Sequence, residues 1–190
     1  DIPPRYNIGV DICDKHARQT PDRIAIIDVA DDGRARTYSF AALRQMSNRL
    51  ANALTGITAS QDRIAVLLPQ CVETAVAHIA ITKMGCIALP LFTLFGPEAL
   101  LHRLRDSGAC AVITNTAGAA VLADLRDELP ALATIYSIDG PTPGALDLHA
   151  LIADNPQPTL PDAIRRLAQV RAGSRALRRG DYRQLHLTHE

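Results

Sequence analysis

The apolar residues of this chain fall into short unbroken runs and longer stripes with one apolar position every three or four residues, and the two kinds of stretch take turns along most of its length. After an extended start containing Pro3-Pro4, residues 8–19 read as a helix with Ile8, Ile12 and Cys13 on one side, ended by Pro21. Arg23 to Val29 reads as a strand, Asp31-Asp32-Gly33 supplies turn residues, and Arg34 to Tyr38 returns as the second strand of a hairpin. Ser39 is placed to cap the next helix. There Phe40, Leu43, Met46, Leu50 and Leu54 form one apolar stripe, and Gly56 stands where a C-terminal cap is expected.

Beyond residue 62 strands and helices alternate. Arg63 to Leu68 is a continuous apolar run, the pattern of a strand buried on both faces of a parallel sheet, and Pro69 closes it. Cys71 to Met84 reads as a helix ending at Gly85, and Cys86 to Leu91 as a strand. Pro97 opens a further helix with Glu98 in its first turn, which suits both the missing N–H and the helix dipole, and Gly108 follows its end. A strand at 110–114, a helix at 117–129, a strand at 134–138 turned by Asp139-Gly140, and a short helix at 146–153 complete the series. Repeated βα units of this length predict an α/β fold, a doubly wound and largely parallel sheet with an N-terminal β-hairpin. Two prolines in Asn155-Pro156-Gln157-Pro158 make 156–160 a linker between a domain at 1–155 and a tail at 161–190, itself read as a basic helix and a short strand.

Composition narrows the class. With 47% hydrophobic and 21% charged residues, a chain of 190 residues can bury a real core, which excludes a disordered or fibrous protein. The net charge of zero hides an asymmetry: 13 basic against 17 acidic residues in 1–160, but 7 against 3 in 161–190. A tail of that sign reads as a solvated helix face, so no nucleic-acid partner is expected. The four cysteines at 13, 71, 86 and 110 are too widely spaced for a metal site and read as small buried hydrophobes; with no secretory signal, they favour a reducing, cytoplasmic compartment. Thr74 to Phe95 is apolar enough to raise a membrane question, but Lys83, Gly85 and Pro90 interrupt it, so it reads as a buried helix followed by a buried strand and not as a span.

A search for chemistry returns little. Neither GxGxxG nor GxxxxGK[ST] is present, and Thr114-Asn115-Thr116-Ala117-Gly118, the nearest phosphate-loop candidate, reads as an ordinary helix cap. No GxSxG elbow occurs, and the serines at 39, 47, 60, 107, 137 and 174 sit in capping, helical or turn contexts. His78 is a lone histidine on a helix and reads as a core or boundary residue, while His186 and His189 fall on opposite faces of a strand and share no metal. Asp31 and Asp32 are explained by their turn. No catalytic residue and no metal ligand is assigned.

Thr37-Tyr38-Ser39-Phe40, the run from Asp62 to Pro69, and above all "CVETAVAHIAITKMGCIALPLFTLFGPEALLHRLRDSGACAVIT" at 71–114 resemble the AMP-forming acyl-CoA synthetases over about residues 5–155. Order and spacing carry the resemblance, including "LFGPEAL" leading into "RLRDS". It implies the incomplete N-terminal subdomain of that fold, from a ligase that activates a carboxylic acid with ATP and Mg²⁺ to an acyl-adenylate and passes the acyl group to CoA, as in fatty acid metabolism. The family's phosphate loop, Mg²⁺-binding motif, ribose-binding aspartate and catalytic lysine do not occur here, so the chain alone is expected to be inactive and to bind no cofactor tightly. The loop Phe92-Thr93-Leu94-Phe95-Gly96 corresponds to one near the CoA and acyl side, whereas Ala117-Gly118-Ala119-Ala120 lacks an arginine that meets the CoA phosphate in some relatives. The stretch at 160–187 instead resembles the C-terminal region of α-amylase-like glycoside hydrolases, which implies a fusion. A third expectation is a non-catalytic interaction or dimerisation module, self-associating through uncovered apolar faces.

Overall fold

Residues 63–67 are apolar in every position but the first, and in the computed structural model, which describes residues 6–155 apart from 31 and 60, they form the central strand. This strand, β3 (Arg63–Leu67), pairs in parallel on one side with β4 (Ile87–Pro90) and on the other with β5 (Ala111–Thr114). Beyond β5 lie β6 (Thr134–Ser137) and the two-residue β7 (Leu146–Asp147), both parallel to their neighbours, so the order is β4-β3-β5-β6-β7. The period of two along β3 sends Ile64 and Val66 to one face and Ala65 and Leu67 to the other. On the first face they meet α2 (Phe40–Thr55) and α3 (Val72–Lys83), and on the second α4 (Pro97–Ser107) and α5 (Thr116–Asp124). Both faces of the sheet are thus covered, as a doubly wound fold requires.

The expected hairpin is present as β1 (Ile24–Val29) against β2 (Ala35–Ser39), antiparallel and separate from the main sheet. Ser39 caps α2 as its position predicts, its Oγ accepting from the Ala42 N–H at 3.2 Å. Gly108 takes the left-handed conformation, φ +61°, that ends α4. Among the described residues no helix is long and apolar enough to cross a membrane.

Several elements depart from the sequence reading. Residues 10–14 form a π-helical turn, in which Lys15 N–H reaches back to Val10 O, followed by α1 (Lys15–Gln19). The wider turn rotates Cys13, Asp14 and Ala17 inward and leaves Ile8 and Ile12 exposed, so the expected apolar side is split. The expected buried strand after α3 is β4 at the sheet edge, where Ile87 is 50% exposed, because an apolar run does not say whether a strand has one neighbour or two. The helix expected at 117–129 ends at Asp124 and gives way to a tighter turn at Arg126–Glu128, tied by Arg126 Nη2 to Ala133 O at 2.6 Å. The helix expected from Leu146 begins instead at Leu148, as α6 (Leu148–Ala153), because Asp147 Oδ1 caps the amides of His149 and Ala150 while residues 146–147 pair with β6. Gly56 does stand at the end of α2, but with φ −71° it needs none of glycine's freedom.

The N-terminal segment is held by a buried charge. Lys83, at the end of α3, has no solvent exposure; its ammonium lies 2.5 Å from Asp14 Oδ1, 2.9 Å from Ser47 Oγ and 2.8 Å from Asn48 Oδ1. Three acceptors suit the three donors of an ammonium. Asp14 Oδ1 has no hydrogen-bond donor besides this ion pair. Close approach is possible because of Gly9, where a Cβ would lie 2.8 Å from Ile79 O and from Lys83 Cγ. Asn7 adds a tether, donating from Nδ2 to Lys83 O at 3.0 Å. Burial pushes the Lys83 pKa below its usual value even though Asp14 pulls it up.

Removing one member of such a pair leaves an uncompensated charge, so Asp14→Leu and Lys83→Met are each expected to lose about 3–5 kcal/mol, and the double variant to recover most of it. Urea denaturation of the four proteins measures the coupling, and additive losses would contradict the pairing. A second expectation concerns Cys86, whose thiol burial pushes up to about 11 from 9.0. The folded state then keeps a proton that the unfolded state has already lost, so this contribution to stability is complete below pH 9.0 and disappears as pH rises towards 11. Cys86→Ala is expected to flatten the alkaline loss by about 2–3 kcal/mol, read from urea midpoints on either side of that window, the comparison at each pH cancelling the opposite contribution of Lys83.

Candidate functional site

From β3 the chain passes through α3 to β4 on one side, and from β4 it returns through α4 across β3 to β5 on the other, so the segments after β3 and β5 leave towards opposite faces of the sheet. At such a switch point the loops after the two strands diverge, and a crevice opens at the carboxyl ends. A cavity of about 150 Å³ occupies that place, lined by Leu67 at the end of β3, Thr93 and Phe95 from the loop after β4, and Asn115, Gly118 and Val121 from the start of α5. Thr114 Oγ1 donates to Leu67 O at 2.8 Å and ties the two strand ends together beneath it.

The loop Phe92-Thr93-Leu94-Phe95-Gly96 divides between the cavity and its surroundings. Phe95 N–H donates to Phe92 O at 3.0 Å, closing a turn with Thr93 and Leu94 at its corners. Thr93 and Phe95 line the cavity; Phe92 and Leu94 face solvent, Leu94 at 80% exposure. The two phenylalanine rings meet edge to face with centroids 5.9 Å apart. Arg103 from α4 lies over the Phe95 ring at 4.1 Å. Gly96 caps α4 in an extended conformation, with open space where a Cβ would stand.

The other wall explains why Thr114-Asn115-Thr116-Ala117-Gly118 is a cap and not a phosphate loop. Asn115 Oδ1 accepts from Gly118 N–H at 2.9 Å, and Asp139 Oδ2 accepts from Thr116 N–H at 2.8 Å. Two amides that could face an anion are already taken, one of them by a carboxylate. Gly118 serves packing instead: a Cβ would fall 2.0 Å from Thr114 Oγ1, so α5 sits against β5 only with hydrogen there.

The remaining sequence candidates take structural roles. His78 is half-buried on the opposite face of the sheet, with burial lowering its pKa. Ser47 belongs to the Lys83 cluster, Ser107 Oγ bonds back to Leu104 O, and Ser137 Oγ accepts from Asp139 N–H. Asp32 pairs with Arg34 at 2.6 Å within its turn, whereas Asp31, His186 and His189 lie outside the described residues. All four thiols have raised pKa values through burial, which makes them poor nucleophiles. A second cavity of about 190 Å³ between α2, α3 and α6 includes Arg49, but the Nε of that guanidinium is sealed from solvent. Sequence reasoning missed Leu67 and Val121 as cavity walls because strand order, not spacing, brings them beside the 92–96 loop.

Sheet order, hairpin and switch-point crevice define a doubly wound α/β unit with an open crevice at its strand ends. A family model described as AMP-binding enzyme matches residues 13–170, and the chain belongs to that family. The match runs past the 156–160 linker to residue 170, into the stretch expected to resemble glycoside hydrolases; the comparisons lend that expectation no support, and the stretch lies outside the described residues. The acetyl-coenzyme A synthetase of Pasteurella multocida is 33% identical over 113 residues, 59% of this chain and 17% of that protein; that of Rhodobacter capsulatus is 38% identical over 112 residues, 57% and 17%. A crystal structure of Brucella canis acyl-CoA synthetase superposes with a TM-score of 0.70 at 30% identity, covering 79% of this chain and 28% of that one. The anthranilate CoA ligase AuaEII, solved with anthranoyl-AMP, gives 0.71 at 26% identity, covering 84% and 29%. The chain therefore spans less than a fifth of the length of these curated relatives.

Gly118→Ala is expected to destabilise the protein by about 1–3 kcal/mol, since Thr114 is buried and its hydroxyl is committed to Leu67 O. Gly96→Ala, with open space and an ordinary φ, is expected to be nearly neutral. Paired thermal melts check the contrast, and equal effects would contradict the packing role of Gly118.

Proposed function

We propose that this chain forms the part of an AMP-forming acid–CoA ligase that walls the CoA and acyl side, and that alone it does not activate an acid. The observation that carries this is the cavity at the β3/β5 switch point, walled by Thr93 and Phe95 of the 92–96 loop. Its lining is mostly apolar, which fits a narrow acyl or thiol-bearing arm. ATP and Mg²⁺ fit it poorly. The α5 amides are capped, and Asp139 puts negative charge where a phosphate would have to sit. Nucleotide activation therefore belongs to parts of the ligase other than this site. The relatives are named for acetyl and anthranilate acids, so the substrate is assigned only as a carboxylic acid.

A second reading rests on a separate observation. Ile24, Ile27 and Val29 of the hairpin and Ile87 on the sheet edge are exposed apolar side chains, as an association surface would have. The two readings separate in one set of experiments on the 190-residue chain. The ligase reading expects weak CoA binding, with NMR shifts at Thr93, Phe95 and Gly118, and no binding of ATP-Mg²⁺. Tight ATP binding, or CoA shifts confined to the α2/α3 face, would overturn it. A concentration-dependent dimer with no CoA response would favour the interaction module.

A further inference from the structure

The cavity of about 190 Å³ lies on the other face of the sheet from the switch-point crevice, in the seam where α6 meets α2 and α3. Its apolar lining is aliphatic throughout: Met46 and Leu50 from α2, Val76 from α3, and Leu148 and Ile152 from α6. An apolar hole of roughly 150 Å³ is enough to take up benzene, so this seam has room for a branched aliphatic side chain.

Two opposite charges border the same space. Arg49 of α2 and Glu73 of α3 both line it, yet among the described residues neither joins an ion pair. The Arg49 Nε is sealed from solvent without an acceptor, so the base of the guanidinium is set into the wall and not extended into water. Such a place is unfavourable for a cation unless an anion meets it. The terminal nitrogens of Arg49 are not sealed in this way and have no partner among the described residues, so they are the donors a ligand would meet. Glu73 has the Cys71 thiol beside it and no cation. At the rim His149 is exposed, its backbone N–H taken by Asp147 Oδ1.

Aliphatic walls joined to one cation and one anion that do not pair with each other match a molecule carrying both charges next to an aliphatic chain. We propose that this seam binds a branched aliphatic α-amino acid, its carboxylate on the terminal nitrogens of Arg49, its ammonium on Glu73 and its side chain among Leu50, Val76 and Ile152. A plain aliphatic acid would bring its carboxylate towards Glu73 with nothing to offset the repulsion, and a plain amine would do the same towards Arg49. Bound there, the amino acid joins α6 to α2 and α3 and stabilises the folded state by mass action. The seam shares no lining residue with the switch-point cavity, so the proposal is independent of the CoA-side reading.

The test uses L-leucine beside 4-methylpentanoate, which lacks its ammonium, and 3-methylbutylamine, which lacks its carboxylate, in NMR titrations and thermal melts of the 190-residue chain. The expected result is saturable leucine binding with shifts at Leu50, Val76 and Ile152, a raised melting temperature, and an affinity about tenfold or more above either analogue, the range of one charge-assisted hydrogen bond. Arg49→Met should bring leucine down to the level of the amine, and Glu73→Gln to that of the acid. Where a variant does not fold, the analogue series on the unsubstituted chain decides by itself. Leucine binding no tighter than the two analogues would overturn the proposal, as would shifts centred on Phe95 and Gly118. Absence of saturable leucine binding up to its solubility limit would overturn it as well, while leaving the CoA-side reading untouched.

Discussion

β3 is enclosed on all four sides, and the rest of the described structure follows from meeting its requirements. Ile64 through Leu67 are essentially without solvent contact, so every backbone N–H and C=O in that run needs a partner from a neighbouring strand. Parallel pairing to β4 and β5 supplies those partners, and parallel pairing in turn demands helical crossovers. α3 fills one face and α4 the other. The first strand of the sheet therefore lies between the second and third, and the chain must change direction at its carboxyl end. The cavity is a consequence of that topology before it is a property of any side chain.

Two glycines and one lysine show how closely the layers approach. Gly118 lets α5 rest on Thr114, whose hydroxyl is in turn needed to satisfy Leu67 O at the floor of the crevice. Gly9 lets the π-helical turn rest on α3, beside the buried ammonium of Lys83. In a chain with 18 arginines and 2 lysines, this position holds one of the two lysines. A compact ammonium matches three acceptors from two separate elements, whereas a planar guanidinium would need a wider cavity. The π turn and the ion pair belong together, because the wider turn is what brings Asp14 inward.

The loop after β4 occupies a transitional place in this scheme. Leu91 anchors it in the core, and Phe95 and Thr93 complete the cavity wall, while Phe92 and Leu94 remain outside. β4 itself is an edge strand, so the loop projects from the border of the sheet with less support than its counterpart after β5. The Phe92–Phe95 contact and the arginine over Phe95 provide the local order that flanking strands do not.

Sequence alone determined the alternation of elements, the hairpin, the caps at Ser39, Pro97 and Gly108, and hence the doubly wound class. Those signals are local, depending on spacing within one helix or strand and on the backbone preferences of a few residue types. It also carried the family resemblance, through the order of motifs between residues 62 and 114. It did not reveal that β4 is an edge, that Ile8 and Ile12 face outward, or that Lys83 is buried, because an apolar run looks the same at the border or the centre of a sheet and an ion pair 69 positions apart leaves no periodic trace. The cavity was equally hidden. Leu67, Phe95 and Gly118 belong to three different βα units, and only the placement of β3 between β4 and β5 brings them to one point.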